Sequence, residues 1–215
     1  MTPSILPAPT AARSRFKTVL WIGLGFTTLF VFITSEVLLV ADYSMYHAYR
    51  QQVISDRHLL IPHTLAGIFA LLIGPINFSS RIRQHHLQLH RVLGRIYVIS
   101  VFIGAATGVA LAAGRPGLPG TSIQAVAWIV CTAAALITAR NRQIVQHRQW
   151  MARSYAVTFT FVSTRVLNLW PRYWGHLGDT FANVGLIAFT LAALLIVDLG
   201  LNWSELTTRR NGGRL

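Results

Sequence analysis

The sequence is poor in acidic residues and in cysteine. Only six of its 215 residues are Asp or Glu, against 19 Lys and Arg, and its single cysteine is Cys131. One cysteine excludes an internal disulfide and a cysteine-based metal cluster. The chain also lacks the motifs of nucleotide-binding loops, nucleophile elbows and common proteases, which leaves open whether it is an enzyme.

Charged residues are scarce as a whole, and hydrophobic residues are abundant. Charged residues make up 12% of the chain and hydrophobic ones 53%, with a mean hydropathy of +0.49. A soluble domain usually carries about 25% charged residues. Because the hydrophobic residues also come in long blocks, the sequence predicts an integral membrane protein rather than a soluble one.

We predict an all-α bundle of six transmembrane helices within residues 17–203. The N-terminal residues 1–16 are predicted to be disordered and cytoplasmic, and residues 204–215 form a basic cytoplasmic tail. The six predicted spans are residues 18–41, 61–78, 92–113, 121–139, 154–170 and 181–203. The pair Gly74-Pro75 is expected to end or kink the second span.

The positions of the basic residues predict the topology. Six spans place both termini on one side, and 14 of the 19 Lys and Arg residues fall on that side. Four fall on the opposite side, and Arg165 lies inside a span. The positive-inside rule therefore predicts that both termini are cytoplasmic. Arginines placed between apolar blocks favour contacts with anionic lipid head groups over nucleic acid.

Two basic stretches resemble each other and each precedes an apolar run. Basic segment 1 is residues 85–97 (HHLQLHRVLGRIY), and basic segment 2 is residues 146–155 (QHRQWMARSY). His86 and His90 are spaced i, i+4 and would share one face of a helix. With His147 as a third ligand they predict a site for zinc, copper or iron.

The same histidines allow two other interpretations. A haem needs two axial histidines on different helices, and His90 with His147 would supply them at one end, His63 with His176 at the other. Alternatively, histidines at helix ends contact lipid head groups and bind no cofactor.

Three charges are predicted to lie at membrane depth, where each costs about 2.5–3.5 kcal/mol on insertion scales and needs a partner. Glu36 and Arg165 fall at similar depths in the first and fifth spans, which predicts an ion pair. That pair would be a packing clamp or a ligand or proton site. Asp198 approaches the cytoplasmic end of the sixth span. Its candidate partners are Arg95, Arg91 and Arg153.

The third span contains two glycines four residues apart. Gly104 and Gly108 have the GxxxG spacing that lets two helices approach closely. This spacing predicts a contact through which two copies of the chain would form a homo-oligomer.

Several motifs resemble a known family. They are residues 62–67 (PHTLAG), 72–78 (LIGPINF), 89–97 (LHRVLGRIY) and 147–155 (HRQWMARSY). Together they are similar to a domain-of-unknown-function family of predicted bacterial multi-pass membrane proteins. The resemblance covers roughly residues 61–170. It implies a location in the bacterial cytoplasmic membrane and brings no established activity.

The resemblance also ranks the candidate residues. It gives weight to His63, His90, Arg95, His147, Arg153 and Arg165, and none to His85 or His86. A looser likeness to membrane b-type cytochromes and ferric-reductase-like helical bundles is an analogy of fold only.

Three functions follow as hypotheses. The first is a redox component that holds haem b or a quinone between the second, third and fifth helices. Its binding residues would be His63, His90, His147, Arg153 and Arg165. The second is a small-molecule or ion transporter whose Glu36–Arg165 pair lines a polar cavity. The third is a membrane scaffold or assembly factor whose basic segments bind anionic lipid or a partner protein.

Overall fold

The computed structural model describes residues 22–23, 25–26, 29–30, 55–168 and 178–203, with all side chains in these ranges except 162, 165–168 and 178–182. The chain divides into two units, Met1–His47 and Ala48–Leu215. In the first unit, the described residues are helical and fall within the first predicted span. The Phe26 and Phe30 rings there stack with centroids 6.4 Å apart. Glu36 lies outside the described residues.

The second unit is built from helices. They are α1 (Arg57–Phe78), α2 (Ser80–His85), α3 (Leu87–Ala112), α4 (Leu118–Arg140), α5 (Ile144–Asn168) and α6 (Gly178–Leu201). No strand occurs in residues 55–168 or 178–203. The prediction of an all-α fold is therefore confirmed for this part of the chain.

Five of these helices are long and form a bundle. The short connections at residues 113–117 and 141–143 make α4 antiparallel to both α3 and α5. α1 packs on α3 and α5, α4 packs on α3, α5 and α6, and α5 also packs on α6. The end of α1, α2, the start of α3 and the turn between α4 and α5 lie at one end of the bundle. We call it the basic end, because it carries the histidines and arginines of both basic segments.

At the opposite end, polar contacts fix the loops and the start of α6. Arg115 forms an ion pair with Asp56, just before α1. Asn183 of α6 accepts a hydrogen bond from the Gly120 N–H at 2.8 Å, near the start of α4. Neither α1 nor α4 has a capping side-chain hydrogen bond at its start. These contacts instead supply partners for polar groups close to the two helix starts.

Four described helices are long and apolar enough to cross a membrane. They are Arg57–Phe78, Leu87–Ala112, Leu118–Arg140 and Asn183–Leu201. Apolar residues also lie on the outer surface: Leu65, Phe69 and Leu72 of α1 are each at least half exposed. An apolar exterior suits lipid contact, so these helices confirm the prediction of a multi-pass membrane protein. α5 is not among the four, and the count of six spans stays a prediction.

The basic segments are helical rather than loops. α3 begins at Leu87 and α5 at Ile144, whereas the predicted spans begin at residues 92 and 154. The prediction placed the helix ends where the apolar residues begin. Arg, Gln, Leu and Met are good helix formers whether or not they lie in lipid, so each helix extends through its basic segment.

The turn between α4 and α5 is closed by a residue with left-handed backbone. Arg142 has φ 60°. Its N–H donates to the Ala139 carbonyl at 3.1 Å, and the Gln143 N–H donates to the Thr138 carbonyl at 2.9 Å. These bonds satisfy two carbonyls at the C-terminus of α4 and reverse the chain in three residues.

Candidate functional site

Tyr155 of α5 fixes the end of α1 at the basic end. Pro75 has no N–H and leaves the Leu71 carbonyl, four residues earlier, without its helical donor. The Tyr155 hydroxyl donates to that carbonyl at 3.2 Å. A Cβ on Gly74 would collide with the Tyr155 ring, so glycine is required for this close approach. The predicted kink site is therefore a docking site for α5, and α1 continues to Phe78.

Two buried polar atoms near this contact have no hydrogen-bond partner. They are the side-chain oxygen of Asn77 and Nδ1 of His90. Asn77 lies in the last turn of α1 and is 5% exposed. Its amide lies against Gly94, which is one turn after His90 on the same face of α3. Buried polar groups are nearly always paired, so these two mark a place where a ligand atom is expected.

Positive charges surround His90. The guanidinium groups of Arg83 and Arg91 act on its imidazole, and His147 lies close enough to act on it as well. Arg83 in α2 is itself half-buried, and its pKa is lowered first by burial and then by the nearby charge of Arg148. The two basic segments and α2 therefore meet around His90 and form one electropositive site.

His147 is held in a fixed orientation. Its Nδ1–H donates to the Ala135 carbonyl of α4 at 2.8 Å. Donation from Nδ1 leaves Nε2 as the nitrogen that can accept a hydrogen bond or bind a metal. A hydrogen bond from one ring nitrogen to a backbone carbonyl is the usual way in which a functional histidine is oriented, and this one ties the start of α5 to α4.

Asp198 and Arg153 form an ion pair between α6 and α5. Arg153 Nε donates to Asp198 Oδ1 at 2.7 Å, and the guanidinium carbon lies 4.8 Å from the centre of the Trp150 ring. Of the three arginines that the sequence offered, the structure selects Arg153. The pairing of Asp198 with Arg95 is not formed, because Arg95 is exposed on α3. Arg153 is thus already neutralised by a carboxylate, which weakens its predicted role in cofactor binding.

His63 lies far from the other predicted histidines. Its Nδ1–H donates to the Gly104 carbonyl of α3 at 2.9 Å, and its ring meets Phe161 edge-on with centroids 6.4 Å apart. Gly104 is 14 residues after His90 in α3, a separation of about 21 Å along the helix. His63 therefore cannot share a ligand atom with His90 or His147.

The two glycines of the GxxxG motif contact side chains of their own chain. A Cβ on Gly104 would lie 3.1 Å from the Trp128 ring, and one on Gly108 would lie 3.1 Å from Cε1 of His63. The spacing serves packing between α3, α1 and α4. The homo-oligomer through Gly104 and Gly108 stays a prediction.

A buried cluster of polar side chains lies in the centre of the bundle, where α3, α4 and α5 meet. The Tyr97 hydroxyl lies 2.8 Å from Ser154 Oγ and 2.9 Å from Thr158 Oγ1. Trp128 Nε1 donates to Thr158 Oγ1 at 2.8 Å, and Thr132 Oγ1 lies 2.7 Å from Ser154 Oγ. Gln124 and Thr160 form a further pair beside it. The cluster is surrounded by the apolar core that includes Val101 and Val157.

The sequence analysis does not predict this cluster, because the cluster contains neither charged residues nor histidines. A signal was present: Ser154 and Thr158 are spaced i, i+4 and therefore share one face of α5. Hydroxyls in a membrane helix can bond to backbone carbonyls one turn earlier, as Thr158 does to Ser154 at 3.0 Å. Their periodicity could have predicted that α5 lies inside the bundle.

The remaining predicted site residues do not form one cluster. Within the described residues, no three His, Cys, Asp or Glu side chains come close enough to hold a metal ion. His86, His90 and His147 therefore do not form the predicted three-histidine site. His86 is exposed, and its backbone is not helical, because it lies at the break between α2 and α3. Glu36, His176 and the Arg165 side chain lie outside the described part of the structure.

The fold and the site define a class: a helical membrane bundle with a buried polar centre and an electropositive site at one end. A family model of predicted membrane proteins, DUF2306, matches residues 60–200. The chain belongs to this family, as its motifs indicated. Comparisons with curated proteins and with solved structures gave no match.

Proposed function

We propose that this protein is a membrane redox component that binds the head group of a quinone at the basic end, between α1, α3 and α5. One observation supports the proposal most directly. His90 Nδ1 and the Asn77 side-chain oxygen are both buried and both lack a hydrogen-bond partner. Leaving such atoms unpaired costs about 1–3 kcal/mol each, and a bound head group would remove that cost.

The chemistry of a quinone suits these two atoms. A quinone carbonyl would accept a hydrogen bond from His90 Nδ1–H, and a quinol hydroxyl would donate to Asn77. The cations around His90 favour an electron-rich ring oxygen. The isoprenoid tail of such a ligand would lie along the apolar outer faces of α1 and α3, which expose Leu72 and Ile99.

Haem suits His90 less well. An axial histidine usually has its second ring nitrogen held by an acceptor. His63 and His147 have such bonds, but they lie at different ends of the bundle. His90, the histidine that could pair with His147, has no partner at Nδ1. The residues present therefore favour a hydrogen-bonded ligand over an iron-bound one.

The proposal includes six membrane spans with both termini cytoplasmic, which would place the quinone site in the inner leaflet of a bacterial cytoplasmic membrane. α5 would then cross the membrane inside the bundle. Its contacts with α1, α4 and α6 support this placement, because the buried Ser154, Thr158 and Thr160 side chains are hydrogen-bonded and shielded from lipid.

Transport of a small solute or proton is a second candidate. The observation that favours it is the cluster of Tyr97, Thr132, Ser154 and Thr158, which forms a polar region through the middle of the bundle. Polar side chains at membrane depth are candidates for a functional role. Loss of solute uptake in Tyr97→Phe, with quinone binding intact, would favour transport over the redox assignment.

Quinone binding tests the primary proposal. Purified protein would be equilibrated with a short-tailed quinone in detergent and its affinity measured by equilibrium dialysis. His90→Ala and Asn77→Leu should each weaken binding about tenfold, the effect of about 1.4 kcal/mol. His85→Ala is the matched control, because His85 is an exposed histidine five residues before His90.

Two results would reject the quinone assignment. The first is equal quinone affinity in the His90, Asn77 and His85 variants, with unfolding midpoints that show all three to be folded. The second is a Soret absorption band in the purified protein that disappears in His90→Ala or His147→Ala, which would assign the site to haem.

A further inference from the structure

One face of α3 points into the bundle. His90, Gly94, Tyr97, Val101 and Gly104 are spaced alternately four and three residues apart, so they form one stripe along this helix. Tyr97 and Val101 on this stripe are 0% exposed, and Gly104 is buried as well. Gly94 lies between His90 and Tyr97 and is therefore an inward-facing position.

Rings of neighbouring helices lie against two other glycines of this stripe. A Cβ on Gly104 would lie 3.1 Å from the Trp128 ring, and a Cβ on Gly108, one turn later, would lie 3.1 Å from Cε1 of His63. In both places the missing side chain makes room for a flat ring. The bundle therefore uses glycine on this face of α3 to let a planar group approach the helix backbone.

Among the described residues, no ring lies on Gly94. The one described atom within 4 Å of a Cβ built there is Nδ2 of Asn77, at 3.9 Å, which is an ordinary van der Waals contact. Gly94 itself is only partly buried. Because inward-facing positions are normally close-packed, the space beside Gly94 suits a group that does not belong to these helices.

The two unpaired polar atoms of the basic end lie on the elements that border this space. Asn77 is 5% exposed, and its amide, whose oxygen has no partner, is the group nearest to Gly94. His90, whose Nδ1 has no partner, is one turn before Gly94 on the same face of α3. Open space next to a few buried polar atoms fits a ligand with a flat apolar body and a polar edge.

We propose that Gly94 is the surface on which the ring of the quinone lies, with Asn77 and His90 near the ring oxygens. This inference rests on the quinone function proposed above and adds the residue that determines which ligands fit. A planar ring is accepted because position 94 has no side chain. Glycine is disfavoured in a helix relative to alanine, and no close contact with another described residue requires it here. The glycine thus serves the ligand rather than the packing of α3.

Alanine at position 94 separates the needs of the ligand from those of the fold. Gly94→Ala should weaken the binding of a short-tailed quinone at least tenfold, because the methyl group occupies the space that the ring needs. Without ligand, its unfolding temperature should equal that of wild type or exceed it, because alanine favours the helix and meets only the Asn77 amide. Equilibrium dialysis and thermal unfolding of the full-length protein in detergent measure the two effects.

Gly67→Ala is the matched control. Gly67 also lies within a helix, with open space around its Cβ, but it is ten residues before Asn77 in α1, about 15 Å along the helix. This variant should keep or gain stability and change quinone affinity less than twofold. Equal losses of affinity in Gly94→Ala and Gly67→Ala would overturn the proposal.

A double-mutant cycle distinguishes a blocked ring from a displaced amide. If the new methyl group acted only by pushing the Asn77 amide away, Gly94→Ala would have no further effect on affinity in an Asn77→Ala background. We expect the tenfold loss to persist in that background, because the ring itself is obstructed. A double variant that binds quinone as well as Asn77→Ala alone would count against the proposal.

The outcomes also separate this inference from the quinone function. Quinone binding that is lost in His90→Ala and kept in Gly94→Ala would leave the function intact and overturn the role of Gly94. A lower unfolding temperature of Gly94→Ala would show that the chain itself needs the space, and it too would overturn that role. A wild-type protein that binds no quinone would overturn both.

Discussion

The Tyr155 hydroxyl donates to the carbonyl of Leu71, the same carbonyl that Pro75 leaves without a donor inside α1. A helix defect in one element is thus repaired by a side chain from another. The pair joins α1 to α5 beside the candidate site, and it explains why a helix with an internal proline stays intact in an apolar bundle.

Tyr155→Phe should lower the free energy of unfolding by about 1 kcal/mol, because it removes this hydrogen bond and keeps the ring. Gly74→Ala should cost more, about 1–3 kcal/mol, because its methyl group collides with the ring. Gly67→Ala in the same helix has open space around its Cβ and should not destabilise. Denaturant titration in micelles measures all three, and equal effects of Gly74→Ala and Gly67→Ala would contradict the contact.

A double-mutant cycle tests the ion pair between α5 and α6. Arg153→Gln and Asp198→Asn should show a coupling of about 0.5–1 kcal/mol in unfolding free energy, since the pair is direct but partly exposed. The same cycle with Arg95→Gln should be additive. Coupling of Asp198 to Arg95 instead of Arg153 would show that the pairing described here is incorrect.

Removal of one hydroxyl tests the buried polar cluster. Thr158→Val leaves Trp128 Nε1 and the Tyr97 hydroxyl with one partner fewer, which should lower the unfolding free energy by about 1–3 kcal/mol. Thr138→Val is the control, because the Thr138 hydroxyl bonds only to carbonyls of its own helix, Ala134 and Ala135. Equal unfolding free energies for Thr158→Val and Thr138→Val would show that the cluster does not stabilise the fold.

Two arginines near the turn between α4 and α5 should respond in opposite ways to replacement by glycine. Arg142→Gly should raise the unfolding free energy by up to about 1 kcal/mol, because glycine adopts a φ of 60° without strain. Arg140→Gly, in the last turn of α4, should lower it by about 1 kcal/mol, as glycine does in a helix. Both remove one positive charge, so thermal unfolding of the two compares backbone effects alone.

The sequence predicts the parts of this fold that depend on hydrophobic length. The spans around α1, α3, α4 and α6 follow from apolar runs, since only a long apolar helix satisfies its backbone in lipid. The helix starts at Leu87 and Ile144 could not be predicted from the sequence. The apolar pattern marks the part of a helix that contacts lipid, and both helices begin before that part. The apolar residues of α5 predict that it is a helix, but its contacts depend on its hydroxyl groups, whose partners on other helices do not follow from the sequence.

The candidate site was predictable in its residue types and not in its pairings. His90 and His147 were singled out by position, yet only the packed structure shows that one has a bonded Nδ1 and the other does not. Asp198 had three possible arginine partners, and the rotational orientation of α5 and α6 places Arg153 next to it. Asn77 lies in the motif of residues 72–78, but its burial could not be predicted, because an amide beside Gly74-Pro75 is typical of an exposed turn.

The contact at Leu71 also sets the rotational register of α5. A turn of α5 about its own axis would carry Tyr155 out of the gap above Gly74 and strand a carbonyl in apolar surroundings. Arg148 lies two helical turns before Tyr155 on the same face, so the same constraint fixes the side of α5 from which Arg148 projects. A single phenol in the interior therefore determines the direction in which the bundle presents its charge at the surface.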